Sequence, residues 1–155
     1  MSKLVGIEID DTALPAPTPE IEQERRVAVF DLLEENSFTI PKAAEIDNLQ
    51  LLLAIRDGRL VFDLTTPDAE KVAEFHLSLG PFRQVVKDYF QICESYFDAV
   101  KALPPSQIET IDMARRGIHN EGARILQERL EGKADVDEDT ARRLFTLICV
   151  LHWGG

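Results

Sequence analysis

The spacing of apolar residues changes at Gly80, and this change constrains the fold more than any other feature of the chain. Before it, apolar residues alternate with others over 49–55, 60–64 and 72–79, which is the pattern of strands with one buried face. Asp57-Gly58 lies between the first two segments and is typical of a tight hairpin turn. Together these segments predict an antiparallel meander of three strands.

After Gly80 the apolar residues recur at helical spacing. Pro81 opens the first helix, and Pro104-Pro105 ends it. Its one broad apolar face comprises Phe82, Val85, Val86, Tyr89, Phe90, Cys93, Tyr96, Phe97 and Val100. Such a face predicts that the helix packs against the core.

Two further helices are predicted towards the C-terminus. Ser106, with Glu109 three residues later, predicts the capping box of a helix that stops at Gly132. Asp137 or Asp139 caps the last helix.

The N-terminal part contributes a strand and a helix. Residues 4–9 predict a short strand, and Thr18-Pro19 begins a helix that runs to about Glu35. Its inward stripe is formed by Ile21, Arg25, Ala28, Val29, Leu32 and Leu33. Because strands come first and helices follow, the sequence predicts an α+β fold, in which an antiparallel meander of three to four strands carries the N-terminal helix and three C-terminal helices. The 155 residues suit one domain, strand-rich over 1–80 and helix-rich over 81–155.

The last helix is apolar almost all round over Leu144–Trp153. A helix of this kind must be buried on several sides. It is either the central helix of the domain, which we favour, or the cover of a partner subunit. The more specific form of the second possibility is homodimerisation through this helix or through the aromatic face of 82–100.

The net charge indicates which class of partner is disfavoured, and the cysteines indicate the cellular compartment. The net charge of −11 disfavours nucleic acid, since that binding gains from Lys and Arg. The arginine pairs Arg25-Arg26, Arg115-Arg116 and Arg142-Arg143 could still form one patch. Cys93 and Cys149 predict buried free thiols, and we expect a cytoplasmic protein without a membrane span.

The segment Asp112–Arg129 concentrates more hydrogen-bonding side chains than a solvated helix face needs. It places Arg115, Arg116, His119, Asn120, Glu121 and Arg124 within about three helical turns. A histidine beside a carboxylate and arginines could act as a general acid or base, or the arginines could hold an anion. The alternative is a structural network in which Asp112 pairs with Arg116 and Glu121 with Arg124. Gly117 and Gly122 within the same helix suggest close helix packing or close approach of a backbone.

A second candidate lies at Ser78–Arg83, where a strand runs into a helix through Gly80. Unpaired backbone N–H groups at a helix start favour anions, and Arg83 and Lys87 add positive charge. The alternative is a plain Gly-Pro turn. The tentative site for a phosphate- or carboxylate-bearing ligand therefore comprises Arg83, Lys87, Arg115, Arg116, His119, Asn120 and Glu121.

Neither a metal nor a cofactor is predicted. The three histidines, His76, His119 and His152, lack zinc-ligand spacing, and we find no nucleotide-binding loop or nucleophile elbow.

Three segments carry a resemblance to a known family: 29–36 (VFDLLEEN), 81–96 (PFRQVVKDYFQICESY), and the pair IETIDMARRGIHNEG and ARRLFTLICVLHW. The chain resembles an uncharacterised family of small bacterial proteins that carries a placeholder name. The resemblance implies a single-domain bacterial protein and no particular activity. Because the sequence has no catalytic motif and has abundant apolar helical surface, we expect a non-enzymatic cytoplasmic module. It would contact a protein partner or itself through the apolar C-terminal helices and the charged Arg115–Glu121 face. The alternative is an anion-binding site or acid–base enzyme built on Arg115–Glu121.

Overall fold

The computed structural model describes residues 2–12 and 14–153, and at position 97 the backbone alone. In chain order the elements are β1 (Lys3–Ile9), α1 (Pro19–Glu34), β2 (Phe38–Thr39), β3 (Asn48–Arg56), β4 (Arg59–Thr65), β5 (Lys71–Ser78), α2 (Arg83–Ala102), α3 (Pro105–Arg129), β6 (Asp135–Val136) and α4 (Glu138–Leu151). Short 3-10 turns lie at Pro41–Ala43 and Gly80–Phe82. This arrangement confirms the α+β class.

The antiparallel meander is confirmed as β3-β4-β5. Its register places Leu53 opposite Phe62 and Phe62 opposite Phe75, so that one face of all three strands points to the helices. Asp57 and Gly58 both have positive φ angles, of 52° and 73°, as a two-residue hairpin turn requires.

The fourth strand, β1, does not extend the antiparallel order. It pairs with β3 in parallel, which corrects the expectation of a purely antiparallel sheet. The physical reason is the crossover through α1, because a helix between two strands returns the chain in the same direction. Asn36, just after α1, fixes this crossover by donating to the carbonyls of Leu4 (2.8 Å) and Leu32 (2.7 Å) and accepting from the Leu4 N–H (2.7 Å).

Helix α4 is the central helix of the domain, as favoured from its composition. Every residue from Leu144 to Leu151 is buried. The helix packs against α1, α3 and the sheet, which together cover its apolar residues. The aromatic side of α2 enters the same core through residues such as Phe82 and Tyr89, while the side chain of Phe97 lies outside the described residues.

Two of the predicted helix caps are confirmed and one is wrong. Thr18 accepts from the Ile21 N–H at 3.2 Å, and Asp137 accepts from the Thr140 N–H at 2.8 Å. Ser106 does not cap α3, because Pro105 already occupies the first helical position and the helix begins there. Leu33 was placed on the inward stripe of α1 and instead lies 47% exposed.

Candidate functional site

A cleft of about 290 Å³ lies where α1, α3 and α4 meet. Helix α3 contributes Asp112, Arg115, Arg116 and His119, which share one side of the helix because their spacing is i, i+3, i+4 and i+7. The remaining lining residues are Glu24, Val27, Ala28 and Asp31 from α1 and Asp139, Arg142, Arg143 and Thr146 from α4. Four arginines and four carboxylates thus surround one cavity.

The two walls repeat one short sequence pattern. Residues 112–119 read DMARRGIH, and residues 139–146 read DTARRLFT, so an Asp-x-Ala-Arg-Arg segment stands in both helices. The last positions of the two copies, His119 and Thr146, are in contact across the helix pair. Arg142 and Arg143 are absent from the predicted site, and this repeat is the signal that could have identified them.

The deep part of the cleft holds a partly buried ion pair. Arg115 donates to the carboxylate of Glu24, and their side chains are only 21% and 13% exposed. The guanidinium carbon of Arg115 also lies 5.2 Å from the centre of the Tyr96 ring, a cation–π geometry. Burial is the largest single influence and lowers the pKa of Arg115, but the attraction of Glu24 and of the nearby Cys93 and Tyr89 together raises that pKa above its ordinary value. Arg115 is therefore held in place, although its buried Nε has no hydrogen-bond partner among the described residues.

His119 is a neutral, doubly engaged side chain at the base of the cleft. Its Nδ1 lies 2.9 Å from the Arg115 carbonyl, which can only accept, so Nδ1 carries the proton. Nε2 lies 3.2 Å from the Thr146 hydroxyl, which also lies 3.4 Å from the Arg142 carbonyl and can share its proton between the two. The ring also meets Tyr89 and Phe145 edge to face, at centroid distances of 5.5 and 6.1 Å. Burial lowers the pKa of His119 below 6.5, and the hydrogen bond to the Arg115 carbonyl offsets this only in part.

The arginines nearer the mouth of the cleft form weaker or more exposed contacts than Arg115 does. Arg116 pairs with Asp112 at 3.1 Å, and its side chain is 69% exposed. Arg142 pairs with Asp139 at 3.3 Å. Exposed pairs of this kind contribute little to stability and can exchange partners. Arg143 donates only to the backbone carbonyl of Glu35, at 3.3 Å, and forms no ion pair with any other described residue.

One carboxylate that lines the cleft has no bonding partner among the described residues. The Asp31 side chain, half-buried on α1, has no hydrogen-bond or ion-pair partner within the part of the chain that the structure describes. The cleft therefore offers both guanidinium donors and a carboxylate acceptor, with no net excess of either charge.

The predicted ligand residues do not all lie together. Arg115, Arg116 and His119 line the cleft, whereas Asn120 is exposed. Glu121 lies in a different groove, between α2 and α3, where Arg124 donates to it at 2.6 and 3.1 Å. Both predicted pairs, Asp112–Arg116 and Glu121–Arg124, are present.

Arg83 and Lys87 are exposed on α2 and do not line the cleft. The antiparallel course of α2 and α3 explains their separation from Arg115, since Gln84 shares a groove with Arg124 and Arg129, at the far end of α3. By contrast, Arg115 lies beside Tyr96, more than two helical turns further along α2.

The cysteines are buried free thiols, as predicted. Burial raises the pKa of Cys93 to about 11 and also raises that of Cys149, so both stay protonated at neutral pH. Among the described residues, no group of three or more His, Cys, Asp or Glu side chains is arranged to hold a metal ion. No helix in the described ranges is both long and apolar enough to cross a membrane.

Comparison with known proteins places the chain in a family. The model of the uncharacterised protein family UPF0262 matches residues 1–154. The chain belongs to the UPF0262 family. A UPF0262 protein of Ruegeria pomeroyi is 73% identical over all of this chain and 99% of its own length, and one of Roseobacter denitrificans is 74% identical over the full length of both. A UPF0262 protein of Cereibacter sphaeroides is 72% identical over 99% of this chain and all of its own. These relatives confirm the resemblance to a bacterial family, and no solved structure matches the chain.

Proposed function

We propose that the protein is a binding protein for a small carboxylate- or phosphate-bearing ligand, held in the cleft between α1, α3 and α4. The observation that carries this proposal is that the arginines at the mouth of the cleft make only weak contacts within the protein. Arg116, Arg142 and Arg143 hold only exposed, long or backbone contacts, so an anion can engage them without breaking a buried pair.

The acidic lining narrows the class of ligand. A bare anion would meet Asp31 as well as the arginines, and like charges disfavour it. A ligand that also carries an ammonium or hydroxyl group can donate to the Asp31 carboxylate. We therefore favour an amphoteric ligand of the amino-acid type over a simple anion.

Binding fits the cleft better than catalysis does. His119 is the only lining side chain whose ordinary pKa is close to neutral, and both its nitrogens are already engaged. A general base must reach a substrate proton, and this imidazole faces Thr146 and two aromatic rings instead.

The test uses three probes: inorganic phosphate, succinate and aspartate, which is succinate with an amino group. Binding is measured by NMR chemical-shift titration up to about 10 mM, a range that captures weak ligands. We expect aspartate to bind more tightly than succinate, and Asp31→Asn to reduce that difference. Arg143→Gln should weaken binding about tenfold, as loss of one charged hydrogen bond does.

Arg124→Gln is the matched control, because Arg124 lies on the same helix as Arg116 but in the other groove. The proposal fails if no probe shifts resonances of the cleft residues. It also fails if Arg124→Gln weakens binding as much as Arg143→Gln does.

Binding of a protein partner is the second candidate function. The apolar residues of α4 are buried, but α1 has exposed apolar residues that could form the contact. Three apolar residues of α1 are exposed: Val27 by 46%, Phe30 by 64% and Leu33 by 47%. Contiguous exposed apolar residues on a surface helix often mark an interaction site.

A further inference from the structure

The outward face of α1 is apolar where a surface helix is normally polar. Ile21, Ala28 and Leu32 are the buried residues of this helix and define its inward side. With 100° between successive residues, Phe30 lies on the opposite side from Ala28 and Leu32. Its 64% exposure agrees with that position. A helix that packs on the core with one side and presents phenylalanine on the other has two faces to bury.

The residues around Phe30 are ordered symmetrically. Arg26 and Val27 precede it by four and three positions, and Leu33 and Glu34 follow it by three and four. If two copies of α1 pack antiparallel about a two-fold axis at Phe30, each residue faces the one equally far on the other side. Val27 then lies level with Leu33 of the second copy, and Arg26 lies level with Glu34 of the second copy, each across the line of contact from the other.

This order is what a two-fold symmetric contact requires, because the same patch must complement itself. Apolar residues meet apolar residues at the centre, and opposite charges meet at both ends. Arg26 is available for such a pair, since its side chain is 71% exposed and has only a 3.5 Å contact with Glu22 of its own helix. Glu34 is likewise exposed.

We propose that the outward face of α1, comprising Arg26, Val27, Phe30, Leu33 and Glu34, binds the same face of a second copy to form a homodimer. This inference rests on the proposed contact function of α1. The face shares Val27 with the lining of the cleft, and dimerisation is tested without any ligand. Each copy carries a net charge of −11, so two copies repel at long range. The two Arg26–Glu34 contacts supply local attraction that the rest of the surface does not.

The contact is small, because it comes mainly from one 16-residue helix. Stable protein interfaces bury about 1,200–2,000 Å² in total, and one helix pair lies at or below the lower limit of that range. The dimer should therefore form and dissociate with concentration, rather than persist at every concentration.

The experiment is sedimentation equilibrium of the full chain between about 1 µM and about 1 mM, a range that covers weak self-association. We expect the apparent mass to rise from 17.5 kDa towards twice that value. Arg26→Glu alone and Glu34→Arg alone should each weaken dimerisation at least tenfold, because like charges then meet across the axis. The double variant should dimerise as the unmodified chain does, and an equimolar mixture of the two single variants should form a heterodimer.

Two controls make the result specific. Arg129→Glu and Glu131→Arg change the charge equally at exposed positions away from α1, and should leave dimerisation unchanged. Circular dichroism checks that each variant is folded, which these exposed positions should permit. A chain of 17.5 kDa at every concentration overturns self-association alone. A dimer that survives both Phe30→Glu and the single charge reversals overturns α1 as a contact surface.

Discussion

Gly122 and Gly117 lie on the same helix, but only one of them is required by packing. A β-carbon added at Gly122 would overlap the ring of Phe145 on α4, whereas one added at Gly117 has no neighbour within 4 Å. Gly122→Ala should therefore destabilise the protein by about 1–3 kcal/mol, as overpacking of a core does. Gly117→Ala, the matched control, should stabilise it by about 0.5–1 kcal/mol through helix propensity. Urea unfolding measures both, and equal effects at the two sites would contradict the close α3–α4 contact.

His119 should make stability depend on pH in mildly acidic solution. Burial lowers its pKa in the folded protein, so below pH 6.5 the unfolded chain binds a proton that the folded chain does not. The free energy of unfolding should then fall as the pH decreases from 6.5, until the lowered pKa is reached. His119→Gln removes this dependence, so the stability difference between the two chains should be smaller at pH 5.5 than at pH 7.5. Unfolding curves that stay equally far apart at both pH values would show that His119 is not buried as a neutral imidazole.

Asn36 connects the end of α1 to the start of β1 through side-chain hydrogen bonds. Its amide satisfies both backbone groups of Leu4, so Asn36→Ala leaves a part-buried N–H and C=O without partners. The expected loss is about 1–3 kcal/mol. Asn120→Ala, at an exposed position of α3, is the matched control and should change stability by less than about 0.5 kcal/mol. Amide hydrogen exchange should localise the effect of Asn36→Ala to β1 before other strands.

The elements themselves follow from local spacing, but their neighbours do not. Alternation over 49–55 and 60–64 shows which residues share a face, and the Asp57-Gly58 turn shows that the two strands pair. Nothing equivalent follows β1, so its partner could be inferred only from the strand–helix–strand order of 4–9, 19–35 and 49–55. That order indicates a crossover and hence a parallel pair, and it is the signal that an antiparallel interpretation overlooks.

The cleft could be predicted only in part, because it exists at the level of the whole molecule. Arg115, Arg116 and His119 were found from their density within one helix. Their neighbours on α1 and α4 come from parts of the chain far away in sequence, and no local spacing shows that Glu24 lies beside Arg115. Arg83 and Lys87 were included for their positive charge at the start of α2. Helices α2 and α3 are adjacent, but the antiparallel course of the pair places Arg83 and Lys87 at the other end of α3.

The whole chain should unfold as one unit, although its strands and helices occupy separate halves of the sequence. One continuous core joins them, since Leu53 and Phe62 of the sheet and Tyr89 and Leu147 of the helices belong to the same buried cluster. If either the strand-rich or the helix-rich half unfolded alone, the apolar face of the remaining half would be exposed to water, so partial unfolding is unfavourable.

Two fluorescent reporters can measure this cooperativity. Trp153, the single tryptophan, lies after α4, where it packs near Phe90 and donates to the Ala16 carbonyl at 3.2 Å. A second chain, with Trp153→Phe and Phe75→Trp, moves the reporter to β5. In urea, we expect each chain's fluorescence to change together with its own far-ultraviolet circular dichroism, because both reporters depend on the same core. If Phe75→Trp fluorescence changed at lower urea than the helical signal of that chain, the strand-rich and helix-rich halves would be separate cooperative units.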